Sequence, residues 1–343
     1  MQKDFGTVEV QKQAVLYNLE NKNGMRAAVS SYGAVLVSLL VPDADGKLRD
    51  VVLGYDTAGE YQRGGGCLGA TIGRCGNRTE GAQFTLNDRV YHLGKNEGEN
   101  NLHSGPDRYD FMFWEVLEAD SRHVKFFRRS PDGEQGFPGN FDISVTYVLT
   151  DENELQILYH GICDQDTVAN MTNHSYFNLN GHDSGDVLGH TLHLRASYFT
   201  PVRADFIPTG EIRSVEGTAM DFRKEKEIGK DIESGEEQLL LTSGYDHNYA
   251  LDTPGFDEPF AVAKGEKSGI VMRAYTDCPG VQFYTANAVQ HEKGKGGSVY
   301  EKRSGFCLET QYFPNSANEK KFASPILKAG EVYETKTVYS FGI

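Results

Sequence analysis

Glu309 is the first candidate for chemistry. In Ser304–Gln311, which runs S-G-F-C-L-E-T-Q, a two-residue repeat puts Phe306, Leu308 and Thr310 on one face and Cys307, Glu309 and Gln311 on the other. A carboxylate held mid-strand among apolar neighbours loses solvation, so its pKa climbs from about 4.3 toward the range of a general base. The competing reading is a salt-bridged or solvent-facing strand glutamate. His174 lies in N-M-T-N-H-S-Y-F-N-L-N-G, with Asn173, Ser175, Tyr176 and Asn178 around an imidazole able to carry a proton near neutral pH. That suits a general acid; a core histidine satisfied by a backbone carbonyl is the alternative. Two further groups offer ligand contacts. G-R-C-G-N-R (Gly73–Arg78) and N-L-H-S-G (Asn101–Gly105) supply Arg74, Asn77, Arg78 and His103, planar or forked donors suited to hydroxyls and ring oxygens. G-Y-D-H-N-Y (Gly244–Tyr249) and G-V-Q-F-Y (Gly280–Tyr284) supply Asp246 and Gln282 among aromatics, the usual combination for a sugar.

The elements that must position these side chains read as strands. Ile143, Val145, Tyr147 and Leu149 alternate with smaller or polar residues, and after the turn-like Asp151-Glu152-Asn153 the pattern resumes at Leu155, Ile157 and Tyr159, an antiparallel hairpin. Phe84–Leu86 with Val90–Leu93, Trp114–Leu117, His123–Phe127, Ile270–Tyr275, Val281–Thr285 and Phe306–Gln311 share that texture. The 38 glycines and recurrent Asn/Asp turns punctuate such a sheet. Helical periodicity is weak and confined to Lys224–Leu241, so any helix there is short and peripheral. The expected fold is all-β, a large antiparallel β-sandwich. No Pro/Ser/Gly-rich linker, low-complexity block or repeat divides the chain, which reads as a single domain over positions 1–343.

Composition narrows the partners. With 34 basic and 49 acidic side chains the formal charge is −15, which repels a polyanion. The longest basic cluster, Lys125–Arg129, reads as an exposed strand followed by a turn, a solvated edge, so no nucleic-acid partner is expected. No apolar run approaches the ~18 residues of a membrane span, and the first residues carry no secretory pattern, so a soluble, cytoplasmic protein is expected. The cysteines Cys67, Cys75, Cys163, Cys278 and Cys307 are scattered, odd in number and read as reduced thiols. No metal site is expected, since the close pair His190 and His193 lacks a third ligand. No dinucleotide, P-loop, nucleophile-elbow or H-E-x-x-H motif occurs, so no cofactor is expected. Oligomeric state is not readable.

Taken in order, Gly73-Arg74 and Asn77-Arg78, Asn101–His103, Thr172–Leu179, Ile207–Glu211, Tyr245–Asn248, Gly280–Tyr284 and Leu308-Glu309 resemble the aldose 1-epimerase (galactose mutarotase) family, over roughly Tyr32 to Pro314. The resemblance implies a single large antiparallel β-sandwich, no metal or nucleotide, and a monosaccharide substrate. It implies Glu309 as general base, His174 as general acid, and Asn77, Arg78, His103, Asp246 and Gln282 as sugar contacts. The implied activity interconverts α and β anomers of free hexoses such as galactose and glucose by acid/base ring opening and reclosure. Gly76 stands where the family usually has Ala and Ser104 where a second Gly often follows the histidine. The first is expected to loosen the turn presenting Arg78, the second to shift His103 or touch the ligand. The rivals are a hexose-6-phosphate 1-epimerase, a non-catalytic carbohydrate-binding protein of the same fold, and a glycoside hydrolase using Glu309 with Asp246.

Overall fold

A computed structural model describes residues 2–8 and 12–343. The expected hairpin is present: Phe141–Leu149 pairs antiparallel with Glu154–Cys163, from Phe141 opposite Cys163 to Leu149 opposite Leu155. Ile143, Val145, Tyr147, Leu155, Ile157 and Tyr159 all point into the core, as the alternation requires. These strands belong to a nine-stranded antiparallel sheet. Its spatial order is Glu115–Ala119, His123–Ser130, Phe141–Leu149, Glu154–Cys163, Val332–Gly342, Val271–Thr276, Ala261–Lys264, Thr191–Leu194 and Lys226–Glu227. The C-terminal strand therefore lies mid-sheet and joins its two halves. Lys125–Arg129 lies on a strand that ends in a turn, as expected, but that strand is not at the sheet edge. Glu115–Ala119 lies outside it, and Phe126 is buried while its neighbours face solvent.

A second sheet of five strands runs Arg213–Ser214, Tyr198–Thr200, Asp246–Ala250, Gly280–Tyr284, Cys307–Gln311. A third, N-terminal sheet holds Gln2–Val8, Lys12–Glu20, Arg26–Ser30, Leu36–Pro42 and Leu48–Asp50. Leu19, Val29 and Leu39 of the N-terminal sheet, Ile143, Ile157 and Tyr339 of the nine-stranded sheet, and Tyr249, Phe283 and Leu308 of the second share one buried apolar cluster. Face-to-face sheets with such a shared interior form the sandwich.

Helix is scarce among the described residues. Glu237–Thr242 is the short peripheral helix expected within Lys224–Leu241, where Lys226–Glu227 is instead an edge strand. Ala58–Arg63 was not anticipated, although Thr57 and Glu60 form a reciprocal capping box readable as T-x-x-E. Among the described residues, no helix is long and apolar enough to cross a membrane. All five cysteines are free thiols.

Candidate active site

The second sheet carries three of the candidate residues on one face. Gln282 lies directly opposite Glu309 on one side and opposite Asn248 on the other. Asp246, two residues before Asn248, shares that face, and Gln282 Nε2 donates to Asp246 Oδ1 at 2.7 Å. Leu308 and Phe283 point the other way, into the core. Glu309 is thus turned away from the apolar interior yet only 2% exposed.

His174 reaches this face from another element. Its strand, Thr172–His174, pairs with Ala70–Ile72, and the chain then runs beside Phe306 through paired backbone bonds between Phe177 and Phe306 of 2.7 and 2.9 Å. Gly305 permits the approach, because a Cβ there would lie 3.0 Å from Tyr176 Cβ. His174 Nε2 comes to 3.6 Å from Glu309 Oε1. The imidazole stacks on Tyr176 at 4.9 Å and meets the His103 ring edge-on at 5.3 Å. Its Nδ1 lies 3.5 Å from Cys307 Sγ. Burial pushes the Cys307 thiol well above its ordinary value, so it stays a thiol beside Nδ1.

Asn77 and His103 lock two loops together. Asn77 N–H donates to His103 Nδ1 at 3.1 Å while His103 N–H donates to Asn77 O at 2.9 Å, both residues in the left-handed region with φ of 58° and 54°. The two departures from the family pattern resolve here. Ser104 touches no ligand space: it is buried, accepts from Cys75 N–H at 2.8 Å and donates to Cys75 O at 2.9 Å, tying the loops. Gly76 does not loosen its turn, since its N–H donates to Asn170 O at 2.8 Å and a Cβ would sit 2.9 Å from Thr172 Cγ2. Arg74 is no ligand contact. It is fully buried, donating to Pro138 O at 2.8 Å and to Ser130 Oγ at 2.7 Å.

Around these groups lies a cleft of about 460 Å³, walled by Asn77, Arg78, His103, His174, Asp246 and Glu309 among others. Gln282 does not line it but stands behind Asp246. Arg78 is gripped through Nε and Nη2 by Glu97 at 2.6 and 2.8 Å, with Nη1 3.8 Å from Asp246 and the guanidinium over the Phe206 ring at 4.8 Å. Burial opposes the Arg78 charge, but Asp246 and Glu97 hold it above its ordinary pKa. Burial raises Asp246 against the pull of Arg78.

The central pair is shifted in opposite directions. Burial drives Glu309 well above the ordinary carboxylate range, helped by Asp246 and opposed by Arg78. Burial lowers His174 to about 3, reinforced by the charges of Arg108 and Arg78. Glu309 Oε2 and Gln282 Oε1 are buried with no hydrogen-bond partner among the described residues. Of the two, Glu309 belongs to the wall of the cleft, where its free oxygen is available to a donor on a ligand. Ligand atoms of His103, His174 and Glu309 fall within 4.8 Å of one another. That set does not suit a metal. With Nδ1 accepting from Asn77, the neutral His103 ring carries its proton on Nε2 and is a hydrogen-bond donor there. His190 and His193 form no metal group either; His190 Nε2 accepts from Leu179 N–H at 2.9 Å.

A family model described as aldose 1-epimerase matches residues 15–340. The chain belongs to the aldose 1-epimerase family. The galactose mutarotase of Sus scrofa is 41% identical over 320 residues, 93% of this chain and 92% of that protein. The aldose 1-epimerase of Haemophilus influenzae is 38% identical over 334 residues, 95% of each chain. The crystal structure of an aldose epimerase homologue from C. elegans superimposes with a TM-score of 0.90 at 32% identity, covering 96% of this chain and 99% of that one. In this member of the aldose 1-epimerase family the cleft also receives Glu97, Arg108, Phe206 and Tyr284, which are not among the contacts predicted from sequence. Tyr284 was within reach, two residues past Gln282 on the same strand face. Arg108, Glu97 and Phe206 sit in loops without periodicity, so no local signal singles them out.

Proposed function

We propose that this member of the aldose 1-epimerase family interconverts the α and β anomers of free hexoses, galactose among them, with Glu309 as base and His174 as acid. The observation that carries the reading is the 3.6 Å approach of His174 Nε2 to Glu309 Oε1 at the wall of one cleft. The hydroxyl oxygen and ring oxygen of a cyclic hexose share the anomeric carbon. Two groups so close can each hydrogen-bond one of them.

Glu309 takes the proton of the anomeric hydroxyl while the His174 imidazolium protonates the ring oxygen, and the C1 to ring-oxygen bond breaks to give the aldehyde. Rotation about C1–C2 exposes the other carbonyl face, and the same transfers in reverse close the ring to the other anomer. The couple holds one proton throughout. In the closed-ring state it is carboxylate plus imidazolium; in the open-chain state it is carboxylic acid plus neutral imidazole. Burial raises Glu309 and lowers His174, which favours the uncharged pair and so the open-chain state. Arg78 opposes full neutralisation of Glu309 and keeps the carboxylate accessible for the first transfer. Asn77, Arg78, His103, Asp246 and Gln282 are the proposed sugar contacts, with His103 Nε2–H a donor and Gln282 acting beside or through Asp246.

Two features disfavour a 6-phosphate substrate. Both cleft arginines are clamped by carboxylates, Arg78 by Glu97 and Arg108 by Asp110. A phosphate dianion would meet two neutralised cations. The test is the optical rotation of freshly dissolved α-galactose, α-glucose and glucose 6-phosphate with and without the protein. Equilibration of the free hexoses is accelerated; binding of galactose with no acceleration would make this a carbohydrate-binding protein instead.

A further inference from the structure

The two arginines of the cleft are built alike. Arg78 spends Nε and Nη2 on the two oxygens of Glu97, at 2.6 and 2.8 Å. Arg108 spends Nε and Nη2 on the two oxygens of Asp110, at 2.9 and 3.0 Å. In each case the fork is fixed from behind by a bidentate carboxylate, the arrangement that pre-organises a guanidinium for its remaining donors. Arg108 is further pinned over the Phe111 ring at 4.6 Å, and its side chain stays 14% exposed while Asp110 is nearly closed off at 8%. Its Nη1 makes no hydrogen bond to any described residue and is not among the buried unpartnered atoms, so the free edge of the fork belongs to the cleft that Arg108 lines.

The two clamps bear on different groups of that cleft. Arg78 faces Asp246 at 3.8 Å and acts on Glu309, whereas Arg108 is the stronger of the two charges on His174. Arg108 acts electrostatically on Cys67 and Tyr176, and Tyr176 is the ring stacked on His174. If His174 serves the ring oxygen, as in the reading above on which this rests, the sugar carbon beyond that oxygen is C5. Its substituent is the hydroxymethyl group.

We infer that Arg108 is a further substrate-contact residue, whose Nη1 donates to the C6 hydroxyl of a neutral hexose and so makes the protein prefer hexoses with that hydroxyl. The Asp110 clamp keeps the charge of Arg108 matched, which suits a hydroxyl rather than an anionic group there.

The test compares mutarotation of galactose with that of 6-deoxygalactose by the wild-type protein, Arg108→Gln and Arg108→Lys. A hydrogen bond from a charged donor to a hydroxyl is worth about tenfold or more in kcat/KM. The wild-type protein is expected to favour galactose by about that factor. Arg108→Gln brings the ratio near one, and Arg108→Lys, which keeps the charge and loses the clamped fork, falls between. Each ratio is taken within one preparation, so a partly folded variant cancels from it, and either variant decides if the other does not fold. A wild-type ratio near one, or a ratio that survives both substitutions, overturns the inference while leaving the mutarotase reading intact. A wild-type protein inert on galactose defeats that reading first.

Discussion

Two buried imidazoles in this protein face a glutamate, and they are held in opposite ways. His190 lies 3.1 Å from Glu266, with Nε2 accepting from Leu179 N–H. The side chain of Glu266 is 35% exposed, and the Asn180 amide and the neighbouring charges keep its pKa below the ordinary value despite partial burial. His174 lies 3.6 Å from Glu309, whose side chain is 2% exposed, whose pKa burial drives upward, and whose Oε2 has no hydrogen-bond partner among the described residues. The first pair fastens a loop to the sheet and leaves its carboxylate in water. The second removes its carboxylate from water and leaves an atom unspent beside a cleft. The same two residue types therefore give an anchor or the proposed proton couple, according to whether the carboxylate is hydrated and whether the pair borders a cleft.

The comparison breaks first at turnover. Glu309→Gln and His174→Asn are expected to lose about 10² to 10⁴ in kcat, the range of general acid–base groups. His190→Asn and Glu266→Gln are expected to keep wild-type kcat. Polarimetry on α-galactose reads all four, and a matching loss in the His190 variant would erase the distinction.

The pH profile of kcat/KM comes next. One proton resides on the site pair between the His174 value of about 3 and the raised value of Glu309. The expected profile is a broad plateau, an acid limb near pH 3 and an alkaline limb where Glu309 ionises, each falling about tenfold per pH unit. An alkaline limb that persists unchanged in Glu309→Gln assigns it to another group.

Stability should move in the reverse sense to activity. His190→Asn strands the Leu179 N–H and is expected to lower unfolding free energy by about 1–3 kcal/mol in urea titrations. Glu309 has its folded pKa above its unfolded value, so its favourable contribution is complete below pH 4.5 and is lost as pH rises through the folded pKa. Glu309→Gln removes that loss. Its melting temperature should exceed wild type at neutral pH and converge on it in acid; a variant less stable at neutral pH shows that the carboxylate is compensated by contacts absent from this account.

The smallest effect concerns the thiol beneath the imidazole. Cys307→Ala removes one weak hydrogen bond to His174 Nδ1, about 1 kcal/mol, and should slow kcat about fivefold with little change in KM. Cys307→Ser should restore most of it. Equal loss in both variants would mean that the cavity, not the hydrogen bond, is responsible.

Much of this site could be read from the chain because alternation is a physical rule. Once Leu308 and Phe283 are inward, Glu309 and Gln282 must share the other face. Where position comes from tertiary contacts, the rule is silent. Arg74 and Arg78 look equivalent in one hexapeptide, yet Arg74 meets carbonyls of Pro138 and Gly139 and becomes a core strut while Arg78 turns to Glu97 and the cleft. Lys125–Arg129 looked like an edge because nothing local announces the strand Glu115–Ala119 outside it. The helix Ala58–Arg63 is announced only by its Thr57–Glu60 box, since the segment is too short for helical periodicity to show.

The central claim is that Glu309 and His174 act on one sugar as a single couple, which a double-mutant cycle on α-galactose mutarotation measures directly. If they form one unit, Glu309→Gln with His174→Asn together should turn over scarcely more slowly than the worse single variant. A double variant slowed by the product of the two single losses, or either single variant turning over near wild type, contradicts it.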